Sequence, residues 1–245
     1  MSYKIVLFLA AWLAFASCAK EEEIPTPSTE EVTFSYEQGN YSGVALPYRK
    51  AIINPQTGEQ ATLAIYLHGG TSKGSDNEAQ ITEPGVDSIR DYLSDQGICS
   101  ILLVPQCPTT RSWGGEMNAV LKALIDEHVA NGQANSDRIY IFGGSMGGTG
   151  TWSMLSDYPG LFSAAMPVAG NPSGMNAENV SKTPLLTVMG TDDRIMDIDV
   201  VQDFIKRLSS LGNENRLEIE AGWTHEDTCT KSYTSDRLEW VFSHQ

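Results

Sequence analysis

Basic residues are scarce in this chain of 245 residues. Sixteen Lys and Arg stand against 31 Asp and Glu, for a formal net charge of −15. No basic run and no interleaving of aromatic with basic residues occurs, which excludes nucleic acid and other polyanions as partners. Cysteine is also rare. With four cysteines and four histidines in the whole chain, no Cys/His spacing suited to a metal site is found, and no metal or other cofactor is expected. There is no internal repeat. The length suits one α/β domain with a sizeable core and would cramp two.

What is present centres on Arg138-Ile139-Tyr140-Ile141-Phe142-Gly143-Gly144-Ser145-Met146-Gly147-Gly148. A β-forming run meets Gly-x-Ser-x-Gly, and helix-compatible sequence resumes at Thr149. This order of strand, sharp turn and helix puts a serine oxygen above a sheet edge at a helix N-terminus, where backbone N–H groups can receive an oxyanion. Glycine is required on both sides because a Cβ there would strike the neighbouring elements.

Around this stretch, strands alternate with helices. Val32–Tyr36 and Val44–Ile53 read as opening antiparallel strands; Ala61–Leu67, Ser100–Val104, Phe162–Ala169, Pro184–Met189 and Arg216–Ala221 read as later ones. Helical spacing marks Gly85–Gln96, Met117–Val129 and Val200–Leu208, the last capped by Asp197 or Asp199, and a closing helix is expected over Tyr233–Phe242. His128 lies on the apolar stripe of its helix and reads as packed. Such alternation predicts a mostly parallel sheet with helices on both faces, the α/β-hydrolase arrangement. Residues Gly170–Thr183 leave little material for a cap domain.

In that arrangement the catalytic residues follow the order serine, acid, histidine along the chain. His225, just after the last strand, is preferred over the penultimate His244. The acid is Asp193 or its neighbour Asp192, with Asp193 preferred because related enzymes carry it three residues after the glycine of this loop. The oxyanion donors are the N–H of Met146 and that of Gly70 in His68-Gly69-Gly70-Thr71, with Thr71 as the alternative; His68 itself would brace the loop. Trp113 and Trp223 either line the substrate site or pack.

Leu67-His68-Gly69-Gly70, Gly74-Ser75-Asp76-Asn77, Pro105-Gln106-Cys107-Pro108, the Ser145 motif, Tyr158-Pro159 with Phe162, Gly190–Asp193 and His225 occur in one characteristic order. In this the chain resembles bacterial α/β-hydrolases of the predicted peptidase, polyhydroxybutyrate depolymerase-like and feruloyl or acetylxylan esterase group, from about Tyr41 onward. Gly144 departs from the bulkier residue often found there. The resemblance implies a serine carboxylesterase acting on ester substrates, including acetyl or feruloyl groups carried on polysaccharide. The competing expectations are a serine peptidase of the prolyl-oligopeptidase type and an inactive glycan-binding lipoprotein. Placing the fold on the cysteines brings Cys107 and Cys229 to the catalytic edge of the sheet, where a disulfide would tether the histidine loop and leave Cys99 buried and free; three free thiols are the alternative.

The first residues carry a further expectation. Lys4 and the apolar run Ile5–Ala16, too short to span a bilayer, precede Ser17-Cys18 and resemble a lipoprotein signal peptide whose lipid-bearing residue is Cys18. Residues 1–18 would be the signal, 19–31 a tether and 32–245 the catalytic domain. Ala19-Lys20-Glu21-Glu22-Glu23 resembles the surface-export signal of Bacteroidetes lipoproteins. This implies export and a lipid-anchored place in the outer membrane.

Overall fold

The structure, a computed structural model, describes residues 32–245; the expectations for Cys18, the signal and the tether lie outside the described residues. Eight strands form a single sheet in the order β1-β2-β4-β3-β5-β6-β7-β8. β1 (Phe34–Tyr41) and β2 (Val44–Ile53) run antiparallel at one edge, and β2 joins β4 (Ser100–Pro105) antiparallel as well. From there β3 (Ala61–Leu67), β5 (Ala134–Gly144), β6 (Ala164–Val168), β7 (Leu185–Gly190) and β8 (Asn215–Glu220) are parallel.

The strand sequences explain the layering. β3 and β4 are buried along their whole length, as expected for parallel strands covered on both faces. Side chains alternate, so Leu63, Ile65 and Leu67 enter one apolar cluster and Ala64 and Tyr66 the other. The first cluster is closed by α2 (Glu116–Ala130), α3 (Met146–Asp157) and α5 (Ile198–Ser210); the second by α1 (Pro84–Asp95) and α7 (Ser235–Phe242). His128 is buried on α2, bonded to the Leu124 carbonyl and set edge-on to Tyr48.

Two short helices escape the periodicity argument because one to two turns give too little pattern to read. These are α4 (Ala177–Val180), capped by Asn176, and α6 (His225–Lys231). The start of α6 is fixed by a capping box in which Thr224 and Asp227 satisfy each other's backbone N–H. Asp197, not Asp199, caps α5.

Candidate active site

Ser145 sits between β5 and α3 at φ 57° and ψ −117°, a region that L-residues enter only under constraint. Its own N–H is tied to the Val168 carbonyl at 3.0 Å. A Cβ at Gly147 would lie 1.8 Å from the Leu67 carbonyl oxygen, and one at Gly143 would lie 2.5 Å from Gly147 backbone atoms. The two glycines of the motif are therefore steric necessities of the turn.

The other groups arrive from neighbouring strand ends. His225 is the first residue of α6, just beyond β8; its Nε2 lies 2.8 Å from Ser145 Oγ and its Nδ1 lies 2.8 Å from Asp193 Oδ2. The Asp193 carboxylate is fully buried, and its Oδ1 accepts the N–H groups of Ile195 and Met196, both at 2.8 Å. With both oxygens engaged, the carboxylate fixes the ring so that Nδ1 carries the proton and Nε2 is free to accept one from the serine. Asp192 is exposed, and among the described residues its side chain is hydrogen-bonded only by the Thr191 hydroxyl. His244 lies against Trp240 and pairs with Glu214 instead.

Two backbone N–H groups near Ser145 sit at first positions of helical turns. Met146 is the first residue of α3, and Gly70 is the first residue of a 3₁₀ turn, Gly70–Ser72; an N–H at the first position of a helix has no partner within it. The neighbouring Gly69 N–H is already donated to Glu83 Oε1 at 2.7 Å. Gly70, Thr71, Ser145 and His225 line one cavity of about 500 Å³, with Ile195 exposed at its rim.

Three expectations need correction or narrowing. Cys107 and Cys229 are free thiols, as is Cys99. Cys107 belongs to the apolar cluster on one face of the sheet, and Cys229 packs against the cluster on the other. Both lie near the catalytic edge, but the sheet separates them. Burial pushes their thiols up, to about 11 for Cys107 and about 12 for Cys229, where the charges of Glu83 and Asp193 add to the effect. Trp113 does not line the cavity: it is 4 % exposed and donates its indole N–H to the His68 carbonyl at 3.0 Å. Trp223 is partly buried beneath Lys231 and Arg237 and is also absent from the cavity wall.

His68 is fully buried and locks the loop from below. Its Nε2 accepts the Cys107 N–H at 2.9 Å, so Nδ1, 2.6 Å from the Gly69 carbonyl, carries the proton. Burial lowers its pKa to about 4. Between the unfolded value near 6.5 and about 4, the unfolded chain takes up a proton that the folded chain refuses, so stability is lost as pH falls through this window. The loss attributable to His68 should approach about 3 kcal/mol at pH 4. Thermal melts from pH 7 to pH 4 should therefore show a shallower decline for His68→Gln than for the parent; equal slopes would refute this.

A model of the prolyl oligopeptidase family matches residues 110–175. The chain is 28% identical over 152 residues to a probable carboxylesterase, SOBER1-like, of Arabidopsis thaliana, covering 57% of this chain and 55% of that protein. It thus spans about half the length of the curated relatives it matches. Among solved structures, a thermostable esterase superposes with TM-score 0.73 at 24% identity, covering 86% of this chain and 63% of that one. The feruloyl esterase module from Clostridium thermocellum, complexed with sinapinate, gives 0.69 at 12%, covering 89% and 91%. The chain has the α/β-hydrolase fold. An acylaminoacyl peptidase of Pyrococcus horikoshii gives 0.66 at 16% identity, covering 86% of this chain and 42% of that one, so the fold is shared across ester- and peptide-cleaving enzymes.

Proposed function

We propose that this chain is a serine hydrolase that cleaves carboxylic esters through an acyl-enzyme, with acetyl or feruloyl esters on polysaccharide as the substrate class. The observation that carries the reading is the continuous hydrogen-bonded line Ser145 Oγ, His225 Nε2, His225 Nδ1, Asp193 Oδ2, with both links at 2.8 Å, at the wall of an accessible cavity. His225 takes the proton from Ser145 as the oxygen attacks the ester carbonyl, and the Gly70 and Met146 N–H groups receive the oxyanion. The imidazolium then protonates the departing alcohol. Water, deprotonated by His225, finally hydrolyses the acyl-serine. The aligned residues argue against an inactive binding module.

Ester rather than peptide cleavage is supported by the carboxylesterase relative and the short segment between β6 and β7, which leaves bulky substrates access. The partial match to the prolyl oligopeptidase family favours the peptidase as the second reading. Turnover of p-nitrophenyl acetate, methyl ferulate and acetylated xylan should exceed that of peptidyl anilides; the reverse ranking would reject esters as the substrate. The cavity wall adds a charge rule. Glu83 and Glu226 line it, and among the described residues no lysine or arginine does. A p-nitrophenyl hemisuccinate should therefore react several-fold more slowly than the butyrate ester of like size, with the gap narrowing in salt. An equal or faster hemisuccinate rate would contradict this.

A further inference from the structure

Glu83 occupies the N-terminal cap position of α1, but its side chain makes no capping bond to the helix. The carboxylate turns back toward the loop after β3. Oε1 accepts both the Gly69 N–H and the Ser72 hydroxyl, each at 2.7 Å, and Oε2 accepts the Tyr66 hydroxyl at 3.0 Å. A single oxygen thus grips the residues on either side of Gly70 and Thr71. The turn between them is closed by the Ser72 N–H on the Gly69 carbonyl, so the Gly70 peptide has both ends held.

The approach of α1 needed for this contact depends on Gly85. A Cβ there would meet Tyr233 at 2.6 Å and Tyr66 at 2.7 Å, both at ring carbons packed edge to face. The first turn of α1 is therefore seated where Glu83 can reach the loop. Burial raises the pKa of the Glu83 carboxylate, and the bonds from Ser72, Gly69 and Tyr66 oppose that rise.

We propose that Glu83 is the positioning residue of the oxyanion loop, aiming the Gly70 N–H by holding Gly69 and Ser72 on one carboxylate oxygen. This rests on the serine-hydrolase reading above. A donor matters to the transition state only where it meets the developing oxyanion, and small displacements weaken it steeply. The Glu83→Ala variant should lose roughly tenfold or more in kcat on a p-nitrophenyl ester with KM nearly unchanged. Its affinity for a trifluoromethyl ketone, which forms the tetrahedral oxyanion on the serine, should fall by the same factor as kcat/KM.

Glu83→Gln keeps an oxygen for the same two bonds and should recover most of the rate. Ser72→Ala removes one anchor and leaves the carboxylate bonded to the Gly69 N–H and the Tyr66 hydroxyl, and should lower kcat by a smaller factor in the same direction. If Glu83→Ala and Ser72→Ala keep parental kcat and inhibitor affinity, or if Glu83→Gln is as impaired as alanine, the positioning role is overturned while the hydrolase reading stands. A parent protein inert toward every ester and peptide tested would overturn both.

Discussion

Replacing Ser145 by alanine is expected to lower turnover of a small p-nitrophenyl ester by at least about 10⁴-fold, to the level left by binding and the oxyanion donors alone. The size of the effect follows from chemistry. The hydroxyl is the only atom group removed, and His225 Nε2, 2.8 Å away, loses its proton donor. Among the described residues no other hydroxyl is hydrogen-bonded to that nitrogen; the nearby Cys229 sulfur, at 3.9 Å, is held as a thiol by a pKa of about 12 and is a poor replacement. The melting temperature should stay close to that of the parent, because the backbone at φ 57° is fixed by the bond to Val168 and by the glycines around it. Near-parental turnover in the folded variant would remove Ser145 from the mechanism.

The second large effect separates two adjacent carboxylates. Asp193→Asn should lower kcat by about 10⁴-fold, because an amide facing Nδ1 favours the tautomer with the proton on the wrong nitrogen. Asp192→Asn should stay within a few-fold of the parent, since that residue is exposed and, among the described residues, its side chain is hydrogen-bonded only by the Thr191 hydroxyl. The variants are nearly isosteric, so steady-state kinetics on matched, folded samples compares charge and tautomer at each position. The reverse ranking would move the acid to Asp192.

What could be read from residues alone, and what could not, divides along physical lines. The turn at Ser145 was legible because its glycines answer a hard steric demand, now visible as a 1.8 Å clash at Gly147. The strand β3 was legible to the residue because an unbroken apolar run between polar segments has few other solutions. Chain order pointed to His225, although the helix it begins was missed: its signal is the local Thr224 and Asp227 pair, which period counting does not register.

The absence of a Cys107–Cys229 bridge is illegible in the sequence for a different reason. Strand order places Cys107 and Cys229 at one edge of the sheet, but it says nothing of which face each loop turns to, and they turn to opposite faces. Trp113 shows the same limit, since a loop residue has no periodicity to declare it buried. Glu83 carried no signal at all. A Glu-Pro pair before a helix reads as a plain N-terminus, and only the folded chain brings its carboxylate back to Gly69 and Ser72.

The central claim is that His225 and Asp193 activate Ser145 as a nucleophile. Treating the folded protein with a fluorophosphonate and mapping the modified peptide tests it most directly, because the reagent reacts with an activated serine whatever ester or amide is the natural substrate. The account predicts stoichiometric modification at Ser145 that is lost in Ser145→Ala and strongly slowed in His225→Ala. An unmodified parent protein, or a label on any other serine, would contradict it.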